Sequence, residues 1–150
     1  MPTAERVFRP RFTVVVCVVI SLAFVAGAAF LLLTLAGLES DHTADALAIV
    51  IITVIAVLTC WVLGRPRAVA DREGIAVRNP ILSRYVAWEE IVAVRFGRHD
   101  PWVLLDLADG SSHPVLAVQA ADGARARRDA DWLRRRVAAH EGQEPPAAER

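Results

Sequence analysis

Two long apolar runs in the first half of the chain constrain its fold more than any other feature. Between Phe12 and Leu38, and again between Ala46 and Leu63, the only ionisable side chain is a single cysteine thiol. An α-helix rises about 1.5 Å per residue, and the hydrocarbon core of a bilayer is about 30 Å thick. Each run is therefore long enough to cross a membrane, and we predict transmembrane helices over residues 12–38 and 46–64.

The charges that flank the two runs predict the direction in which they cross. Arginines precede the first run and follow the second, whereas the connecting segment 39–45 contains three acidic residues and no arginine or lysine. Positively charged residues stay on the cytoplasmic side of a membrane. We therefore expect a basic cytoplasmic lead over residues 1–11, an extracytoplasmic loop over 39–45, and both termini in the cytoplasm of a multi-pass inner (plasma) membrane protein.

A cleaved signal peptide is the competing interpretation of the first run. Ala26-Gly27-Ala28 resembles a small-residue cleavage site, and Arg9 and Arg11 would form the basic region before it. The apolar run continues beyond that site, however, and a second run follows it. A membrane-spanning helix is therefore the favoured interpretation.

The remainder of the chain has room for one small domain. About 75 to 85 residues lie outside the two runs, which suffices for a small core but not for a two-lobed enzyme. The formal net charge is zero, so we expect no nucleic-acid partner. The sequence contains no nucleophile elbow, phosphate-binding loop or metal-ligand spacing. We therefore expect no enzymatic activity, no catalytic residues, no cofactor and no metal.

Beyond Pro66 the apolar residues alternate with polar ones, which is typical of β-strands. This pattern predicts six short strands, at residues 68–70, 74–78, 84–88, 91–96, 102–107 and 111–118. From about residue 120 to 140 the period becomes helical, and one stripe carries Ala126, Ala130, Leu133 and Val137. We expect a domain over residues 65–141, followed by a disordered tail over residues 142–150.

Three segments of this domain carry a family resemblance: Ala70-Asp71-Arg72-Glu73-Gly74-Ile75, Trp88-Glu89-Glu90-Ile91 and Leu105-Asp106-Leu107-Ala108-Asp109-Gly110. With them the chain resembles the actinobacterial low-molecular-weight protein antigen family, over nearly its full length. The resemblance implies a membrane α-helical hairpin followed by a small α+β domain like a bacterial pleckstrin-homology (PH) domain. Such a domain is an antiparallel barrel or sandwich of about six or seven strands, capped by a C-terminal amphipathic helix. No catalytic residues come with it.

One pair of side chains in the predicted domain, Asp106 and His113, is a candidate for proton transfer. If Asp109-Gly110 forms a two-residue turn, Asp106 lies opposite His113 on the neighbouring strand. A carboxylate beside an imidazole can transfer protons. No nucleophile accompanies the pair, so we interpret it as an ordinary exposed ion pair.

Basic residues are the candidates for contact with a membrane surface or a partner. Arg128, Trp132 and Arg136 are spaced by four on the last helix and form one ridge away from its apolar stripe. The short segment 64–68 keeps the domain close to the headgroups, where arginine is attracted to anionic lipid. The predicted contact residues are Arg72, Arg78, Arg84, Arg128, Trp132 and Arg136. Their expected partners are the lipid bilayer, its anionic headgroups, or an unidentified membrane or cytoplasmic protein.

Two functions fit these features. The first is a non-enzymatic PH-like binding or scaffolding domain presented at the cytoplasmic membrane face. The second is an accessory subunit of a membrane transporter or envelope complex that acts mainly through its transmembrane helices. Deleting residues 68–150 and asking whether a partner still co-purifies separates the two.

Overall fold

The structure is a computed structural model that describes residues 6–38 and 41–141. It divides into two compact units. One unit contains residues 11–65, and the other combines the chain before Arg11 with the chain after Arg65. The predicted disordered tail, residues 1–5 of the basic lead and residues 39–40 of the loop lie outside the described residues.

The first unit is a pair of helices, α1 (Arg11–Ala36) and α2 (Thr43–Leu63). Both are long and apolar enough to cross a membrane, as the two apolar runs predict. At the start of α2, the Asp41 carboxylate accepts hydrogen bonds from the backbone N–H of Thr43 (3.0 Å) and from its hydroxyl (2.6 Å). At its end, the Gly64 N–H donates to the Cys60 carbonyl, and Pro66 prevents the helix from continuing.

The second unit is an α+β domain of two antiparallel sheets and one long helix, as expected for a PH-like fold. The first sheet has the order β1 (Arg6–Phe8), β2 (Arg67–Ala70), β3 (Gly74–Arg78) and β4 (Ser83–Ala87). The second has the order β5 (Ile91–Arg95), β6 (Trp102–Leu107) and β7 (Ser112–Gln119). A short 3₁₀ turn (Trp88–Glu90) connects the sheets, and α3 (Ala124–Glu141) packs against β5 and this turn.

Strand β1 lies in a part of the chain where the sequence pattern predicts no strand. Its residues precede α1, yet they pair with β2, which follows α2. Phe8 is only 1% exposed and belongs to the core of the domain. Residues 6–8 of the expected basic lead are therefore part of the domain.

The core lies between the sheets and α3. The four residues of the predicted helix stripe are each buried, with at most 4% of their surface exposed, so that face of α3 is confirmed. Alternate residues of the strands face the same core, among them Ile75, Val86 and Leu105. Trp88 closes the core beside α3 and is 1% exposed.

The β6–β7 hairpin corrects the predicted pairing of Asp106 with His113. Gly110 adopts a positive φ of 82°, and its N–H donates to the Leu107 carbonyl, so the connection is longer than a two-residue turn. The register therefore shifts by one residue. Asp106 lies opposite Ser112, and His113 lies opposite Leu105. The carboxylate and the imidazole consequently occupy different faces of the sheet.

Candidate membrane-surface site

One end of the first sheet, which we call the strand-exit end, is where the chain enters from α2 and leaves toward α1. Arg67, the first residue of β2, lies opposite Arg78, the last residue of β3. Phe8, the last residue of β1, lies opposite Ala68 at the same end. The β3–β4 loop, residues 79–82, therefore also belongs to the strand-exit end.

The β3–β4 loop presents two large aliphatic side chains to its surroundings. Ile81 is 94% exposed and Leu82 is 60% exposed. The loop is held in place by Asn79, whose backbone N–H donates to the Leu82 carbonyl (3.1 Å). The Asn79 side chain also donates to the Pro114 carbonyl (2.7 Å) and accepts from the Leu116 N–H (3.3 Å). Two exposed aliphatic side chains on an anchored loop are typical of an interaction site.

Two arginines occupy the strand-exit end side by side. Arg67 and Arg78 are direct cross-strand partners, and like charges in such positions repel. Within residues 6–38 and 41–141, neither arginine forms an ion pair with an acidic side chain. The Nε atom of Arg67 is also buried without a hydrogen-bond partner among these residues. The pair is therefore suited to a ligand that carries negative charge.

The outer face of the first sheet carries an apolar row next to these arginines. The pairing aligns Val7, Val69, Ala76 and Tyr85 across all four strands. Val7 is 40% exposed and Tyr85 is 48% exposed. Because alternate residues of a strand share a face, this row and the Arg67–Arg78 pair lie on the same side of the sheet.

The six predicted contact residues do not form one patch. Arg78 and Arg84 lie toward the strand-exit end, and Arg84 forms an ion pair with Glu90 (3.4 Å). Arg72 lies in the β2–β3 turn, at the opposite end of β3. Arg128 is exposed on α3. Among the predicted contact residues, Arg78 therefore lies directly at the strand-exit end, whereas Arg72 lies at the opposite end of β3.

The other two predicted contact residues are engaged within the domain. The Arg136 guanidinium carbon lies 5.9 Å from the ring centre of Trp88, a cation–π distance. The Trp132 ring is half-buried, 5.7 Å from the ring of Phe8 and 6.4 Å from that of Trp88. Both side chains therefore help to hold α3 against the sheet.

The N-terminal strand is attached to α3 by charge as well as by aromatic contacts. Arg6 donates to the buried carboxylate of Asp129 (2.7 Å), and its guanidinium carbon lies 5.0 Å from the ring centre of Trp132. Arg125 approaches the same carboxylate at 3.7 Å. A buried carboxylate needs such partners, because burial without them is costly.

The Asp71 of the motif around β2 and β3 organises a turn. Its carboxylate accepts hydrogen bonds from the N–H groups of Glu73 (2.9 Å) and Gly74 (2.8 Å) and from the Tyr85 hydroxyl (3.0 Å). Desolvation opposes ionisation, but these hydrogen bonds outweigh it and lower the pKa of Asp71. Desolvation, together with the hydrogen bond to Asp71, raises the pKa of Tyr85 to about 12. These motif residues therefore serve the fold.

Gly74 and Trp88 complete the same turn. A Cβ atom at Gly74 would lie 2.3 Å from the Val86 carbonyl oxygen, so the approach of β4 requires glycine. The Trp88 indole N–H donates to the Asp71 carbonyl (3.2 Å), and its backbone N–H donates to the Glu73 carbonyl (3.0 Å). The positions of Asp71, Gly74 and Trp88 in the sequence therefore follow from the contacts that they share around this turn.

Three residues of this site, Arg67, Ile81 and Leu82, are not among the predicted contact residues. A signal for the loop is present, because Ile81-Leu82 follows Asn79-Pro80 at a turn, where polar residues are usual. No comparable signal exists for Arg67. Its pairing with Arg78 is a property of strand register.

Comparison with known proteins places the domain in a family. Residues 65–136 match the family described as Bacterial PH domain, a match that does not include β1. Two similar proteins are Uncharacterized protein Mb1452 of Mycobacterium bovis and Uncharacterized protein Rv1417 of Mycobacterium tuberculosis. Each is 33% identical over 125 residues, which cover 83% of this chain and 80% of the relative. No solved structure matches. The chain therefore carries a bacterial PH domain and belongs to the same family as these mycobacterial proteins.

Proposed function

We propose that this chain is a two-span protein of the inner (plasma) membrane that presents its PH-like domain on the cytoplasmic face as a non-enzymatic binding or scaffolding module. The pairing of β1 with β2 carries this proposal. One strand precedes the two apolar helices and the other follows them, so both flanks of the hairpin must lie on one side of a membrane. The arginines in these flanks support the cytoplasm as that side, because positively charged residues favour the cytoplasmic side of a membrane.

Binding rather than catalysis is supported by the chemistry of the domain. PH domains are generally non-catalytic binding modules, and the matched region covers β2 through most of α3. Two acidic residues with several partners, Asp71 and Asp129, act in a turn and in the attachment of β1. We also propose that the chain is a member of the low-molecular-weight protein antigen family, because its resemblance to that family implies a membrane protein without catalytic residues.

Cysteine labelling in intact cells tests the proposed topology. Cys17 and Cys60 are first replaced by alanine, and Asp41→Cys or Asp109→Cys then supplies one reactive thiol. We expect an impermeant maleimide to label the Asp41→Cys variant in intact cells and the Asp109→Cys variant only after lysis. Labelling of Asp109→Cys in intact cells would contradict the cytoplasmic assignment and favour a cleaved signal peptide.

A further inference from the structure

We propose that the strand-exit end of the PH-like domain docks on the anionic leaflet of the bilayer, with Ile81 and Leu82 inserted among the lipid chains and Arg67 and Arg78 at the lipid phosphates. This inference rests on the proposed function, because it requires the two helices to lie in that bilayer. It adds which end of the domain meets the membrane and which side chains make the contact.

The chain connections support this orientation. Three residues separate Leu63 at the end of α2 from Arg67 at the start of β2, and two separate Phe8 from Arg11. Even fully extended, the longer connection reaches only about 14 Å. Both connections join the domain at the strand-exit end, so this end stays near the membrane surface whenever the helices span it.

The exposed aliphatic side chains supply the apolar part of the contact. Ile81 is almost fully exposed, and Leu82 next to it is more than half exposed. Water contact with these side chains is unfavourable, and insertion at the boundary between headgroups and acyl chains removes it. The hydrogen bonds of Asn79 to β7 hold the loop in place, so little conformational freedom is lost on insertion.

The arginine pair supplies the charged part of the contact. Arg67 and Arg78 repel each other across the strands, and an anion between them converts that repulsion into attraction. A guanidinium group binds a phosphate through two parallel hydrogen bonds. The opposite end of β3 differs, because Arg72 there is flanked by Asp71 and Glu73. The charge distribution therefore favours an anionic surface at the strand-exit end.

A depth measurement on the full chain tests the insertion of the loop. The cysteine-free chain carrying Leu82→Cys is labelled with an environment-sensitive fluorophore and reconstituted into vesicles of phosphatidylglycerol and phosphatidylcholine with spin-labelled acyl chains. Glu73→Cys, exposed in the β2–β3 turn, is the matched control at the opposite end of the strands. We expect strong quenching of the probe at residue 82 and little at residue 73.

A charge reversal tests the role of the arginines. Arg78→Glu in the Leu82→Cys chain replaces a like-charge cross-strand pair by an opposite-charge pair, so the sheet is retained. We expect the ratio of quenched to unquenched probe to fall about thirtyfold, because the reversal changes the charge near the anionic leaflet by two units. Arg135→Glu makes the same charge change at an exposed position of α3 and should leave quenching unchanged.

The outcomes separate this inference from the proposed function. If the chain floats with the vesicles while the probe at residue 82 stays unquenched, the docking proposal is overturned and the membrane placement stands. If the chain does not float, both are overturned. Quenching that needs an added cytoplasmic protein, or that is equal in vesicles without phosphatidylglycerol, also overturns docking on an anionic leaflet.

Discussion

At the scale of single residues, His113 combines burial with an unsatisfied polar atom. It lies in β7 with 8% of its surface exposed, and its Nε2 atom has no hydrogen-bond partner among the described residues. Desolvation lowers the pKa of His113, and the positive charge of Arg84 lowers it further. The folded domain therefore favours the neutral imidazole, and protonation opposes folding.

This shift predicts a dependence of stability on pH. When the pKa of a histidine is lower in the folded state, the unfolded chain takes up the proton first, so the free energy of unfolding decreases as the pH falls below the ordinary value of 6.5. We expect His113→Leu to reduce this decrease between about pH 7 and pH 5. This decrease is measured by urea unfolding of the full chain in detergent, with tryptophan fluorescence as the signal.

The control for this experiment is His99→Gln, which changes an exposed histidine in the loop between β5 and β6. We expect it to leave the pH profile of the free energy of unfolding as in the parent chain. If His113→Leu and the parent chain lose stability equally on acidification, the interpretation of His113 is wrong.

At the scale of elements, α3 is specified by one narrow apolar face. Leu133 lies in the middle of that face and is fully buried, whereas Arg135 is exposed. The polar side of α3 contributes hydrogen bonds, because Arg134 donates to the carbonyls of Val94 and Phe96 on the neighbouring strand and loop (both 3.2 Å). The helix is therefore attached to the second sheet by its core face and by one arginine.

We expect Leu133→Ala to lower the free energy of unfolding by about 2 to 5 kcal/mol, because it removes buried methyl groups and leaves a cavity. Arg135→Ala, two residues away on an exposed position, should change it by less than about 0.5 kcal/mol. Urea unfolding of the full chain measures both. Equal effects would show that the assigned core face of α3 is incorrect.

At the scale of the whole molecule, the PH-like domain is assembled from two segments separated by the helical hairpin. β1 fills the edge of the first sheet, Phe8 enters the core, and Arg6 neutralises the buried Asp129. A fragment that begins at Pro66 would expose the edge of β2 and leave Asp129 without one of its partners. The segment before α1 is therefore part of the folding unit.

This arrangement predicts the behaviour of two soluble fragments. Residues 66–150 alone should be less stable than the same residues preceded by residues 1–10 and a short glycine-serine linker. Replacing Phe8 by alanine in the linked fragment should remove about 3 to 5 kcal/mol, as expected for a buried phenylalanine. Urea unfolding compares all three. If the unlinked fragment is as stable as the linked one, β1 is dispensable.

Local patterns account for most elements of the chain. The apolar runs predict α1 and α2 because a bilayer demands about 20 consecutive apolar residues, and this requirement is visible without any partner. The alternation after Pro66 predicts β2 to β7, and the helical period predicts α3, because both periods follow from how one element buries one face. The stripe through Leu133 was therefore identified from the sequence.

Only the tertiary structure decided the features that depend on pairing. β1 has three residues and no periodicity of its own, and its partner β2 lies about 60 residues later in the chain. The position of His113 depended on a hairpin loop one residue longer than predicted, which turned its side chain to the other face.

In the candidate site, too, some features follow from the sequence alone and others depend on the tertiary structure. Its arginines, and the short connections that join the domain to α1 and α2, are visible directly in the sequence. The strand register decided that Arg67 lies beside Arg78, and the turn placed Arg72 at the other end of the sheet. Exposure of Ile81 and Leu82 is likewise a tertiary property, because an aliphatic pair becomes a surface only when the fold leaves it uncovered.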